Sequence, residues 1–510
     1  MPRGRPLWMV GLGRTSRTAT GAMVLLTLLL GQPTVATAQN IAKPAGNGYL
    51  SSKIRLPKWQ PQWSMPLSTI VMPCNDSGYH SVDEASAYGL VSYDWSNAKQ
   101  LWCNSQPMDD GERLVAQAEM VRKASNTTRI GVYRNSIKAL NWFTEVREKL
   151  DDPAFAGWFI KFKDYQGPAS NHSYAPAVPA CTFEKCSGFY HDQEQSPAHP
   201  HGDGSCIEEC DCGKNPCGEY IFDHRNASFA DWFVNEYIVS NSTILHPAIT
   251  ELYLDDRMET FGVSEEDGHF WNDTGLGPPN SPIMKALTAA FTQNMERLYD
   301  HIVEVGGFAW QMFQAGPYQL MPTYFPNATV NPTKLYDTTA CMKLLRERYC
   351  VENGTHMNQA LVYTGNSKWS SQNITGPTQA EQYLSTFLLT RGPFAWIGYD
   401  WKNCMSGCNA NHDWPAGPCR SYPRPAQWDE DYGAPVAEHC TETIPNSSAN
   451  FARQWTKASV EWNCNTGVGT ITRNLPKTAL PLKSDDGLSD DTWQTGVAQK
   501  TDGKSAICTF

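Results

Sequence analysis

Two aspartates stand side by side at the end of an apolar run in ITELYLDDRMET, residues 249–260 of this 510-residue chain. The run 250–254 reads as a short strand, and it delivers Asp255, Asp256 and Arg257 together. Asp is disfavoured in strands, and adjacent like charges repel, so the arrangement is costly unless something uses it. A turn accounts for one such Asp. Paired carboxyls offer more: one can give a proton while the other takes one or attacks. Comparable acids follow other apolar runs. Asp94 ends AYGLVSYDW, Asp223 lies in GEYIFDHRN and Asp400 in PFAWIGYDW.

If these runs are parallel strands of one barrel, the residues just past them converge on a single face. Asp255 or Asp256 is then one catalytic carboxylate, and Asp223 is the best candidate for the second. Asp94, Arg134, Asn135, His224, Arg225, Gln311 and Asp400 are placed to hold polar groups of a substrate. Trp95, Trp310 and Trp401 offer flat faces for stacking, with the helices as the alternative direction for Trp310. Successive strand residues point to opposite sides, so only one of the adjacent pair enters a cleft. Asp255 is expected there, with Asp256 tied to backbone or to Arg257. The plainer alternative makes these residues turn formers, with Arg134 and Arg225 in structural ion pairs.

The segment FYHDQEQSPAHPHGDGSCIEECDCGKNPCGEY, 189–220, collects His191, His199, His201, Asp203 and Cys206, Cys210, Cys212 and Cys217. Zinc is one reading of that set. Disulfides are the better one in an exported chain, so no metal ligands are assigned. His191, Asp192 and Glu194 remain within possible reach of a substrate. No Gly-x-Ser-x-Gly elbow, His-Glu-x-x-His motif or phosphate loop occurs, and no cofactor is expected.

The elements needed to position the acids are short apolar runs alternating with helical patterns. Candidate strands are 87–95, 129–135, 157–162, 218–226, 250–256, 307–313, 359–366 and 393–401, with 67–74 as a weaker one. Helical spacing covers 109–125, 137–150, 228–240, 281–305, 333–349 and 378–391, with Ser281 as a cap and Pro282 in the first turn. Apolar strands separated by helices predict an α/β fold with a parallel sheet, here a (β/α)8 TIM barrel. The expected barrel spans 87–440 and carries a Cys/His-rich insertion at 163–217. Residues 39–86 form an N-terminal linker or wrap, 441–473 an appended β-hairpin and 474–510 a flexible tail.

Residues 1–38 have the layout of a signal peptide: four arginines, the short apolar run GAMVLLTLLLG and the small triplet Ala36-Thr37-Ala38. All 16 cysteines lie beyond it. The even count predicts disulfides, with the insertion cysteines pairing among themselves. Proximity suggests Cys181–Cys186, Cys341–Cys350 and Cys440–Cys464, although connectivity cannot be read from sequence. Ten Asn-x-Ser/Thr sites, among them Asn75, Asn126 and Asn241, fit a glycoprotein. The chain is therefore expected outside the cell, free or at the wall or surface. It should have no stable membrane span after cleavage, and its oligomeric state is open. A net charge of −11 argues against nucleic acid as partner. The 18 tryptophans suit carbohydrate.

YLDD, FLLTRGPFAWIGYDW, DYGAPV and FARQWTKASVEWN together resemble the hypothetical glycosyl-hydrolase-like barrel proteins. They are more distantly similar to endo-α-1,4-polygalactosaminidase barrels. The resemblance implies a barrel strand ending on paired Asp, matched by Asp255 and Asp256. It implies a YGEP-like loop, matched by 432–435 with Ala434 where the pattern carries Glu. It also implies a closing hairpin, matched by Phe451, Arg453 and Trp455. The expected function is hydrolysis of O-glycosidic bonds in a poly- or oligosaccharide by paired carboxylates. The alternative is a carbohydrate-binding or surface protein on a glycosidase scaffold without catalysis.

Overall fold

The computed structural model describes residues 56–60, 62–75, 78–161, 188–192, 211–215, 217–256, 258, 270, 274–278, 280–311, 338–352, 361–364, 377–398, 402, 424–445 and 448–473. The leader, most of the insertion, Arg257, Asp400, Trp401, Cys181, Cys186 and the tail lie outside these residues.

The strands in chain order are β1 (Ile70–Val71), β2 (Leu90–Tyr93), β3 (Arg129–Asn135), β4 (Lys138–Leu140), β5 (His191–Asp192), β6 (Glu219–Ile221), β7 (Glu251–Asp255), β8 (Phe308–Gln311), β9 (Leu361–Thr364) and β10 (Ala395–Gly398). Four more follow: β11 (Thr441–Glu442), β12 (Asn450–Gln454), β13 (Ala458–Asn463) and β14 (Val468–Arg473). A parallel sheet runs β1-β2-β3-β7-β8, and β9 pairs in parallel with β10. The bridges Thr69↔Ile397 and Pro73↔Lys402, both parallel, set β10 beside β1. Seven parallel strands thus lie side by side in chain order. Among the described residues no ladder joins β8 to β9, so the ring is open there.

The sheet is strongly curved. Trp310 Nε1 on β8 donates to Ser92 Oγ on β2 at 3.1 Å. The two strands are three ladder steps apart, about 14 Å in a flat sheet, so the sheet must wrap to bring them together. Trp310 stacks on Tyr253 at 4.5 Å and Phe308 on Trp396 at 5.3 Å, filling the concave side with rings. Trp59, from the N-terminal wrap, meets Phe308 and Phe394 edge-on and lies under the Arg129 guanidinium at 3.6 Å. On the other face Leu252 and Leu254 are fully buried, as strands covered on both sides require.

Two runs expected in the barrel are not in its sheet. Residues 157–162 contribute only the antiparallel bridges Phe159↔Phe222 and Lys161↔Phe189. The run 218–226 supplies β6, the middle strand of an antiparallel sheet β4-β6-β5. The cause is a turn directly after β3. Asn135 Oδ1 accepts from the backbone N–H of Ile137 at 2.8 Å and of Lys138 at 2.6 Å, an Asx turn that folds β4 back for β6 to pair with. In compensation, β1 belongs to the parallel sheet although it lies in the segment expected to be a wrap.

Helix Pro282–Glu304 starts as its sequence predicts: Ser281 Oγ accepts from Met284 N at 3.1 Å and Pro282 fills the first position. The expected C-terminal hairpin is a four-stranded antiparallel sheet, β11-β12-β13-β14. Arg453 and Trp455 anchor it to helix Pro377–Thr390 and the residues that follow. Arg453 Nη1 donates to Arg391 O at 2.6 Å and Trp455 Nε1 to Leu388 O at 3.2 Å.

Three disulfides join pairs of described residues, Cys212–Cys217, Cys341–Cys464 and Cys350–Cys440, and Cys74 and Cys103 are disulfide-bonded as well. The first stays within the insertion. The second and third replace the pairings suggested by proximity. Cys341 and Cys350 are separated by about 13 Å of helix rise, and β12 lies between the strands that Cys440 and Cys464 flank. Each cysteine on the helical segment therefore reaches a different part of the sheet. Among the described residues no helix is long and apolar enough to cross a membrane.

Candidate active site

The carboxyl ends of β2, β3 and β7 bring Asp94, Tyr133, Asn135, Asp255 and Asp256 together. Alternation along β7 puts Glu251, Tyr253 and Asp255 on the concave face, with the intervening leucines behind. Asp255 Oδ2 accepts from Tyr133 Oη at 3.1 Å, and Oδ1 accepts from the Asp256 backbone N–H at 2.9 Å. Tyr253 also hydrogen-bonds this carboxyl. Asp256 has a left-handed backbone, φ +59°, which turns its side chain away from the strand direction. Its Oδ2 accepts from Asn135 Nδ2 at 2.8 Å. Ser136 completes the clamp: its N–H donates to Asp255 O at 3.0 Å, and its Oγ lies 2.7 Å from Asp255 O and 2.9 Å from Asp256 O.

Burial is the main force on the Asp255 carboxyl. Together with the neighbouring charges of Asp256 and Asp94 it outweighs the Asp256 amide and the Lys138 ammonium, and pushes the group up to about 8. Asp94 is also pushed up by burial, but only to about 6, because Ser96 N–H at 3.0 Å and Ser96 Oγ at 2.6 Å both donate to its Oδ1 and Lys99 lies nearby. Burial thus raises both acids, Asp255 further than Asp94, so Asp255 is the one of the two that keeps its proton to higher pH. Tyr133 and Tyr253 are held well above the usual phenol range, first by burial and then by the Asp255 charge, so both remain donors.

No protein-family model matches the sequence, and no curated protein matches it. Among solved structures the chain is similar to a cyclic alpha-maltosyl-(1-->6)-maltose hydrolase from Arthrobacter globiformis. That match has 10% identity and a TM-score of 0.40, and covers 79% of this chain and 92% of the other. It is also similar to a maltogenic amylase from S. marinus, at 8% identity and TM-score 0.38, over 81% of this chain and 66% of that one. A sucrose 6F-phosphate phosphorylase from Thermoanaerobacter thermosaccharolyticum matches at 11% identity and TM-score 0.35, over 80% and 95%. Scores of this size are below the level that establishes a shared fold.

The other residues singled out in the sequence have varied surroundings. Asp223 is not at the end of a parallel strand; it follows β6, and Arg225 holds it with two donors, Nε and Nη2, each at 2.8 Å. His224 is buried among Phe229, Phe233 and Phe291, with Nε2 2.8 Å from Ser136 O and Nδ1 3.2 Å from Asn294 Nδ2. Burial pushes its imidazole down to about 4, so it is neutral and donates through Nε2. It buttresses the Ser136 clamp from behind and offers no free ring nitrogen to a ligand.

Arg134 points away from the concave side. It donates to Tyr133 O at 2.9 Å and Ser242 Oγ at 3.0 Å, and lies over the Phe143 ring. Its neighbours are the helices, as alternation from Tyr133 and Asn135 requires. Trp95 is half-buried against Trp142 at 5.0 Å, beneath the Lys99 ammonium. Trp310 faces Tyr253 and Ser92 on the concave side. Gln311 ends β8 beside Leu254 in the ladder. Asp400 and Trp401 lie outside the described residues.

Sequence reading assigned no role to Tyr133, Tyr253 or Ser136. The two tyrosines sit at matching register on neighbouring strands, Tyr133↔Tyr253. A polar tip at that place in an apolar run was the available signal. Among the described residues no group of three or more His, Cys, Asp or Glu is arranged to hold a metal ion.

Proposed function

We propose that the protein is a secreted glycoside hydrolase, built on a (β/α)8-type barrel, that cleaves O-glycosidic bonds of a poly- or oligosaccharide. The observation that carries this reading is the convergence of two buried carboxyls, Asp94 and Asp255, at the carboxyl rim of one curved parallel sheet, where burial raises Asp255 further than Asp94. Asp255 supplies the proton to the leaving oxygen. Asp94 is the ionised partner, acting as base on water or as nucleophile. Asp256 supports Asp255 and takes no direct part. Asp223 is left out of the reacting pair because Arg225 already engages both its oxygens. Export is supported by the leader sequence and the disulfides.

The reaction needs two groups that the chain has and one water, which attacks directly or, where Asp94 attacks first, then releases the sugar from it. Protonation of the glycosidic oxygen by Asp255 breaks the bond to the anomeric carbon, and Asp94 or water activated by it forms the new one. Lys138, paired with Glu219 at 2.6 Å, supplies positive charge nearby as Asp255 becomes anionic. The purified mature protein should be screened against a panel of polysaccharides for reducing-end release, beside Asp255→Asn. Release by the wild type that is lost in the variant supports the reading. Binding without release by either protein favours the non-catalytic alternative.

A further inference from the structure

Asn135 uses all its side-chain hydrogen-bonding positions. Its Oδ1 accepts from the backbone N–H groups of Ile137 and Lys138, which fixes which end of the amide is oxygen. Its Nδ2 carries two hydrogens: one faces Asp256 Oδ2 at 2.8 Å and the other Tyr133 Oη at 2.8 Å. A Tyr hydroxyl that accepts from an amide must spend its single hydrogen elsewhere, and the acceptor in place is Asp255 Oδ2 at 3.1 Å. The direction Asn135→Tyr133→Asp255 therefore follows from donor chemistry alone.

We infer that Asn135 and Tyr133 are positioning residues: a one-way relay that holds the Asp255 carboxyl in its reactive orientation while Asn135 keeps Asp256 turned aside. The role deepens the proposed hydrolysis and rests on that reading for its purpose, though not for its geometry. With Oδ1 receiving the Asp256 N–H and Oδ2 receiving the Tyr133 hydroxyl, the proton carried by Asp255 is directed away from both donors. The relay also explains the left-handed Asp256, because releasing Asn135 from Asp256 removes a contact that holds it there.

The groups facing Asp255 are Asp94 from β2, Tyr133 from β3, Lys138 from β4 with its partner Glu219 on β6, and Tyr253 and Asp256 from β7 and its end. Tyr133 and Tyr253 each carry a hydroxyl that Phe deletes while the ring contacts are kept, and Tyr133 is the one that receives the Asn135 amide.

The test follows the 13C carboxyl resonance of Asp255 against pH in the intact mature protein, assigned through Asp255→Asn. A donor to a carboxylate favours the charged form, so its loss raises the midpoint. Tyr133→Phe should move the midpoint upward by about one pH unit or more, from the size of a hydrogen bond to a charged group. Asn135→Asp should move it further, since a carboxylate there accepts the Tyr133 hydrogen and adds a negative charge. Unchanged midpoints in whichever of the two variants keeps the native circular dichroism would overturn the relay. Titration of Asp256 in place of Asp255 would overturn it as well. Because the readout needs no substrate, a protein that hydrolyses nothing can still confirm the relay, and a hydrolase with unmoved midpoints can still refute it.

Discussion

Two strand ends in this chain carry nearly the same signature, Asp255-Asp256-Arg257 after β7 and Asp223-His224-Arg225 after β6, and they have become different things. At the first, Tyr133, Asn135 and the backbone orient the acids with hydrogen bonds. At the second, Arg225 neutralises Asp223 and His224 is sealed in a cage of phenylalanines. What separates them is the strand that delivers them. β7 is an inner strand of the curved parallel sheet, whose carboxyl ends form a shared rim. β6 is antiparallel to both its neighbours and feeds no such rim.

The largest expected difference between the two ends is in turnover. Asp255→Asn should lower polysaccharide hydrolysis by about 10²–10⁴-fold, the loss typical of a missing general acid. Asp223→Asn should leave the rate nearly unchanged, as steady-state kinetics will record. Equal losses in both variants would erase the comparison.

The second difference is in stability. His224→Ala should cost about 2–5 kcal/mol in chemical denaturation, since it opens a cavity among aromatic rings and strands polar groups of Asn294 and Ser136. The acid-to-amide change at Asp255 should not be destabilising near neutral pH, where the native carboxyl is already protonated.

The two ends should also respond to pH in opposite directions. His224 is depressed to about 4 from an ordinary 6.5, so its contribution is present above that ordinary value and is lost as pH falls through 4. Asp255 is raised to about 8 from 3.8, so its contribution is present below 3.8 and is lost as pH rises through 8. Glu251, buried beside Arg129 and raised to about 8, acts in the same alkaline direction. Denaturation midpoints across pH should therefore show a shallower alkaline decline in Asp255→Asn, and a shallower acid decline when His224 is replaced by Gln.

The smallest effect belongs to the visible ion pair. Removing it by Asp223→Asn should change stability by about 1 kcal/mol or less, as for partly exposed pairs in general, and high salt should reduce even that.

These contrasts also mark what the sequence made legible. The start of helix Pro282–Glu304 was readable because caps act locally: Ser281 accepts a hydrogen bond from the first turn it precedes. The α/β alternation was readable from apolar run lengths. Strand direction was not, because a parallel run such as LYLDD and an antiparallel one such as EYIFD have the same composition. The decision lay with Asn135, whose Asx turn sends β4 back against β6. The short β1 was readable only as the weaker candidate 67–74, because only two residues pair, although both are fully buried. Disulfide partners depended on β12 lying between two others, a tertiary fact. At the site, paired acids were visible as such, whereas the tyrosines looked like ordinary strand residues, and Arg134 was assigned to the wrong face for want of the alternation that Tyr133 and Asn135 define.

The most direct test of the central claim is the pH dependence of kcat/KM on the best substrate from the polysaccharide panel, for wild type and Asp255→Asn. The wild type should rise as Asp94 ionises near pH 6 and fall as Asp255 loses its proton near pH 8. In Asp255→Asn the alkaline limb should disappear along with most of the rate. An alkaline limb that survives unchanged in the variant, or no hydrolysis of any substrate from about pH 4 to 9, would contradict the account.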